Sequence, residues 1–211
     1  MTRTMRWLVF AVIAAAISCK PGQATTYPAA SCNESDVQAA YDTEQASPAD
    51  GDIISIPAGT CTWTSTWTIS PANSLTFQGA GAESATSGGA SVTGTDQTII
   101  NVNVQTYWSF TTASGKSYRI TGLAIYMNGA PCCSDGAMAI YGSSQSFRLD
   151  HNHFVCKTSG YLEVTIYGSV LGVADHNVIE EMLGDWIKVE NGRAWNGDAT
   201  GHGDNSWADS S

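Results

Sequence analysis

Two triplets carry the residue types best suited to cation and proton chemistry, Asp150-His151-Asn152 and Asp175-His176-Asn177, spaced 175 − 150 = 25 residues apart. A carboxylate next to an imidazole can hold a cation or move a proton near neutral pH. If the triplets lie in adjacent parallel strands, Asp150 and Asp175 project outward one above the other, about 4.8 Å apart. Two carboxylates at that distance repel unless a cation or a shared proton neutralises them. The pattern therefore nominates Asp150 and Asp175 as ligands for calcium, and His151, His176 and the neighbouring His153 as proton-transfer groups. The competing reading is a duplicated structural turn with both acids solvated. Asn152 and Asn177 are expected to stack as an asparagine ladder, each amide bonding its equivalent in the next coil, with Asn taking the left-handed conformation of the bend.

A second pair of motifs accompanies the first. Ile140-Tyr141-Gly142-Ser143 returns as Ile166-Tyr167-Gly168-Ser169 after 166 − 140 = 26 residues. Two motifs recurring in one order at nearly one period match the contour of a single coil of a β-solenoid. Tyr141 and Tyr167 then fall in adjacent coils. Together with Tyr126, Trp186 and Trp195 they offer either a platform for sugar rings or ordinary aromatic packing. Around them lie ten of the nineteen acids, from Asp150 onward, and the bases Arg119, Arg148, Lys157, Lys188 and Arg193. Lys188 is a further candidate for proton transfer, and Arg148 for holding an anionic substrate.

The elements that must position these residues are short strands. Candidate strands follow one another from Ile53 to Val189 with Gly, Ser, Asn and Asp in the gaps, and no long amphipathic helix separates them. A β-sandwich also has short strands but does not explain the paired repeat. Asn33-Glu34-Ser35-Asp36 begins a short helix through Tyr41, suited to covering the open N-terminal end of a solenoid. One strand is expected from Thr62 to Ile69, with a hydroxyl face that the later repeats do not continue, which argues against ice binding. The Gly-, Ala-, Ser- and Thr-rich stretch from Gly79 to Asp96 reads as a mobile loop off one coil.

Residues 1–24 begin with Arg3 and Arg6, run apolar from Trp7 to Ile17 and end at Gly22-Gln23-Ala24, as a secretory signal peptide does. Cleavage there competes with lipoprotein anchoring at Cys19. The expected location is secreted or periplasmic, without a membrane span. Removing residues 1–24 takes away Arg3, Arg6 and Lys20, so 9 basic side chains become 6 against 19 acids, and the formal charge moves from −10 to −13. Such a surface repels phosphate backbones and disfavours nucleic acid. An oxidising location makes disulfides reasonable, Cys32 with Cys61 first, and Cys156 with Cys132 or Cys133 second.

The segments Gly51-Asp52-Ile53-Ile54-Ser55-Ile56-Pro57-Ala58-Gly59-Thr60 and Leu75-Thr76-Phe77-Gln78-Gly79-Ala80-Gly81 resemble the first two coils of the pectate-lyase-like superfamily. Phe147 to Phe154 and Val173 to Ile179 resemble later coils. The resemblance implies an all-β fold, a right-handed parallel β-helix over 25–211 with a short N-terminal capping helix. It also implies a carbohydrate-active protein that binds or cleaves an acidic polysaccharide on the later coils. Its members use acidic residues to hold calcium and a Lys or Arg to abstract a proton, or clustered aspartates; neither complete motif is present. Under this reading His151, His176 and Lys188 move protons, Asp150 and Asp175 hold calcium, and Tyr141, Tyr167, Trp186 and Arg148 position sugars. The alternative is a non-catalytic adhesin or fibre unit. The chain reaches Ser211 without a recognisable cap, so the expectation is a truncated β-helix whose last coil could pair with another copy.

Overall fold

The computed structural model describes residues 24–87, 91–104, 106–128, 138–156, 164–180 and 187–189. Strand β1 (Thr26–Pro28) precedes the helix α1 (Glu34–Gln45), and strands make up the rest of the regular structure. In chain order they are β2 (Asp52–Ile56), β3 (Gly59–Trp63), β4 (Trp67–Ile69), β5 (Leu75–Gly79), β6 (Ser84–Ala85), β7 (Val92–Thr93), β8 (Thr98–Val102) and β9 (Trp108–Thr112). There follow β10 (Ser117–Thr121), β11 (Ala124–Met127), β12 (Met138–Asp150), β13 (His153–Cys156), β14 (Val164–Ile166), β15 (Ser169–Asp175), β16 (Val178–Glu180) and β17 (Ile187–Val189).

Except for the small antiparallel pair β6–β7, the pairings are parallel, and they form three runs. The first is β1-β2-β5-β10-β12-β15, the second β3-β8-β11-β13-β16 and the third β4-β9-β12-β14-β17. The long β12 joins the first and third runs, pairing β9 through Met138–Gly142 and β10 through Ser146–Asp150. Parallel neighbours need a long return path between them. Here that path is the strands of the other two runs, so the sheets curl round one core in a way compatible with a β-helix-like solenoid.

Alternation along each strand decides what enters that core. In β2, β5 and β8 every second residue is buried, placing Ile54, Phe77 and Ile100 inside. Trp67, Phe77, Trp108, Phe110 and Phe147 form a continuous aromatic column, with successive ring centroids 5.0–6.4 Å apart. Helix α1 closes the first cross-section of this column. Its Tyr41 stands edge-on to Trp67 at 6.0 Å, and Gln38 accepts from the Trp67 indole at 2.5 Å. The expected Cys32–Cys61 disulfide ties the start of the helix to β3.

The two copies of the paired repeat lie side by side on parallel neighbouring strands. Ile140 lies opposite Ile166 in the third run and Asp150 opposite Asp175 in the first. The glycine of the first motif has a packing reason. Gly142 has φ 101°, and a Cβ there would stand 2.4 Å from the Thr112 carbonyl oxygen; at Gly168 it would stand 2.2 Å from that of Gly142.

Three local expectations are corrected. The left-handed residues of the bend are His151 (φ 55°) and His176 (φ 54°), one place before the asparagines. The stretch Thr62 to Ile69 is two strands with a corner at 64–66, because Trp63 and Trp67 must both turn into the core, edge to face at 5.5 Å. Within the stretch Gly79 to Asp96, the described residues include the β6–β7 pair, and Ser84 and Asp96 bond to neighbouring segments. Among the described residues no helix is long and apolar enough to cross a membrane. Residues 1–23 of the expected signal peptide, Cys132, Cys133 and the C-terminal end with its expected pairing edge lie outside the described residues.

Candidate functional site

The bend between β12 and β13, and its copy between β15 and β16, gather the repeated triplets. Asn152 is fully buried there. Its Oδ1 accepts from the Leu123 amide at 3.1 Å, and its Nδ2 donates to the carbonyls of Ile120 and Asp150 and, at 3.2 Å, to Asn177 Oδ1. Asn177 Oδ1 also accepts from the Asn152 amide at 3.0 Å. The asparagines therefore form the expected ladder. Because Asn has both donors and an acceptor on one short side chain, it can serve two coils at once.

Asp150 and Asp175 share a face of the first run, but only Asp175 is open to solvent; Asp150 has 0% exposure. Covering Asp150 is the work of arginines on adjacent strands. Arg119 donates from Nε and Nη2 to the two Asp150 oxygens at 2.8 and 2.6 Å. Arg148, in register with Arg119, brings Nε to 3.4 Å from Asp150 Oδ2 and donates from Nη2 to Asp175 at 3.0 Å. Burial alone would raise the Asp150 carboxyl, yet the hydrogen bonds from Arg119 and His151 and the nearby guanidinium charges outweigh it and hold it below the ordinary range. The repulsion that suggested a cation is thus relieved by guanidinium. Both Asp150 oxygens already accept from cationic groups, so the pair does not fit calcium, which needs such oxygens at about 2.4 Å.

His151 and His176 stack face to face, centroids 4.8 Å apart and planes 2° from parallel. His151 Nδ1 lies 2.8 Å from Asp150 Oδ2. His176 Nδ1 lies 3.2 Å from Asp175 Oδ2 without hydrogen-bond geometry. A carboxylate on Nδ1 selects the tautomer whose Nε2 is basic. Tyr141 and Tyr167 stack likewise, at 4.8 Å and 7°, on the neighbouring third run. Trp186 lies outside the described residues, as does the side chain of Lys188.

Beside the bend stands a second cluster, centred on His153. In β13 Phe154 points into the core, so His153 faces the other way, yet it is buried. What covers it is the segment between β5 and β8. Asp96, at the end of that segment, accepts at Oδ2 from the Tyr126 hydroxyl at 2.6 Å and lies 2.9 Å from His153 Nδ1, while its Oδ1 accepts from the Glu83 amide at 2.9 Å. Further along, Ser84 Oγ and the Ala85 amide donate to the His176 carbonyl at 3.0 and 3.2 Å. Burial would raise the Asp96 carboxyl as well, but hydrogen bonds from Tyr126, the Glu83 amide and His153 keep it below its ordinary value. Burial, then the bond to Asp96, pushes the Tyr126 hydroxyl far up, so it acts as a donor.

Sequence reasoning singled out His153 and Tyr126 separately and counted Glu180 only among the acids from Asp150 onward, and it overlooked Glu83 and Asp96. A signal for the last two was present: they are the acids of a stretch otherwise made of Gly, Ala, Ser, Thr and Val. Against known proteins the chain matches no family model, no curated protein and no solved structure.

Proposed function

We propose that the parallel runs are coils of a right-handed parallel β-helix of the pectate-lyase-like kind, secreted or periplasmic, and that the face bearing Arg119, Arg148, His151 and His176 binds an acidic polysaccharide. The observation that carries this reading is the pair of arginines, 42% and 45% exposed, held in register on neighbouring strands. A guanidinium has five N–H donors in one plane. Each arginine turns Nε and Nη2 toward an aspartate, which fixes its rotamer and leaves its remaining donors for the carboxylate of a uronic acid. The stacked Tyr141 and Tyr167 supply an adjacent aromatic surface for sugar rings. If the bound polymer is cleaved by elimination, a base takes the C5 proton next to the uronate carboxylate while the C4–C5 double bond forms and the C4–O bond breaks, the departing oxygen taking a proton from solvent. His151, oriented by Asp150, is the group suited to act as that base.

With residues 1–24 removed, 6 basic side chains face 19 acids, and this formal charge of −13 opposes any polyanion, so binding is best measured near 0.15 M salt, where the Debye length of about 8 Å confines that repulsion. The wild type should be retained on polygalacturonate or alginate and not on a neutral glucan. Arg148→Ala should weaken retention about tenfold, the equivalent of about 1.4 kcal/mol. Ultraviolet absorbance of an unsaturated uronate product reports cleavage, and His151→Ala should abolish it while sparing binding. A folded wild type that ignores every acidic glycan would overturn the reading.

A further inference from the structure

His153 contains an anomaly that glycan binding does not use. Its side chain is 5% exposed, and Nδ1 is engaged by Asp96, yet Nε2 makes no hydrogen bond. Asp96 is an acceptor, so it selects the tautomer with the proton on Nδ1 and leaves a lone pair on Nε2. That lone pair faces two further acceptors. Glu180 Oε2 stands 3.6 Å away, and an oxygen of Glu83 completes a trio whose donor atoms all lie within 4.8 Å of one another. Three electron-pair donors converging on one point, one of them buried and unpartnered, describe the surroundings of a cation.

We infer that Glu83, His153 and Glu180 form a binding site for a divalent transition-metal ion of the zinc type. Donors around a tetrahedral zinc with bonds of about 2.1 Å stand about 3.4 Å apart, close to the separation of His153 from Glu180. Glu83 lies in the covering segment and Glu180 is half exposed at the end of β16, so both carboxylates can close the remaining distance. A nitrogen donor with two carboxylates favours zinc, manganese or iron(II) over calcium and magnesium, which prefer all-oxygen shells. Asp96 is the positioning residue. It orients the imidazole through one oxygen and pins the Glu83 backbone through the other, the outer-shell carboxylate found behind most metal-bound histidines. Three protein ligands leave a fourth position for water or a ligand atom.

The test uses the untagged, folded chain stripped with chelator and titrated with Zn²⁺ by calorimetry and with Co²⁺ by visible absorption. One ion per chain should bind, with the intense absorption of tetrahedral cobalt, and Zn²⁺ should raise the melting temperature where Ca²⁺ and Mg²⁺ do not. Glu180→Gln, a partly exposed change that leaves the fold intact by circular dichroism, should weaken binding at least tenfold; Asp96→Asn should weaken it by about 10–100-fold. Absence of stoichiometric binding by the folded wild type overturns the inference. So does zinc affinity that is unchanged in both Glu180→Gln and Glu83→Gln, because the ion then sits on other donors. Neither result bears on retention by acidic glycans, which is read separately.

Discussion

Asp150 shows how a side chain's partners change what its type suggests. A buried carboxylate between two half-exposed arginines holds them in place, and its removal leaves both without their inner partner. Because the arginines keep their access to water, Asp150→Ala should cost only about 1–3 kcal/mol in urea denaturation, less than breaking a fully buried pair. Its pH dependence has a definite sign. The folded carboxyl titrates below its ordinary 3.8, so the stability it contributes is complete above 3.8 and is lost as pH falls through the lowered value. Acid titration of wild type against Asp150→Asn should show the two curves converging below pH 3.8; equal slopes there would show that the pairing carries no stability. The histidine beside it answers to backbone geometry as well as chemistry. With φ 55°, His151 should accept Gly with little loss of stability, whereas His151→Ile, β-branched in a left-handed conformation, should cost about 1–2 kcal/mol.

At the scale of the element, the bend is what holds the two copies of the repeat in register. Asn152→Ala would remove the partner of the buried Leu123 amide and of the Ile120 carbonyl, at about 1–3 kcal/mol each, so a loss of about 2–6 kcal/mol is expected. Asn177→Ala should cost less, since Asn177 is only half buried. The opposite corner is closed by Gly142, where any Cβ meets the Thr112 carbonyl. Gly142→Ala should therefore perturb the pairing of β12 with β9 and lower the melting temperature, while an alanine at Gly115, which has open space around it but φ 74°, should show only the smaller cost of backbone strain. The segment between β5 and β8 is an element of a different kind, a cover rather than a coil. Its anchors are Asp96 on His153 and Ser84 on the His176 carbonyl, so Asp96→Asn should expose the β13 face and speed amide exchange there.

For the whole molecule, stability depends on closing the first cross-section of a core that strands alone would leave open. Helix α1 does this with Val37, Ala40 and Tyr41, and the Cys32–Cys61 link holds it to β3 across 29 residues. Reduction of that link should cost about 3.6 kcal/mol by the loop-entropy estimate. The loss should appear as a lower urea midpoint and earlier exposure of Trp67, the indole bonded to Gln38 of the helix. If the midpoint is unchanged on reduction, the helix is held by packing alone.

The repeat, read as residues, was enough to place Tyr141 over Tyr167 and Asp150 over Asp175 and to predict the asparagine ladder. Periodicity carries such information because equal contour lengths bring equal positions to one strand pairing. Alternation within β2, β5 and β8 likewise made the core legible, since side chains of a strand must take opposite faces. What no local pattern contained was the partner of each charge. Arg119 reaches Asp150 from 31 residues away through strand pairing, and Asp96 reaches His153 from 57 through the covering segment. Sequence by itself determined which side chains stack, because stacking follows the period. Only the tertiary structure decided that Asp150 is buried beneath arginines, and that Glu83, His153 and Glu180 converge, because burial and charge pairing depend on segments that meet across the fold.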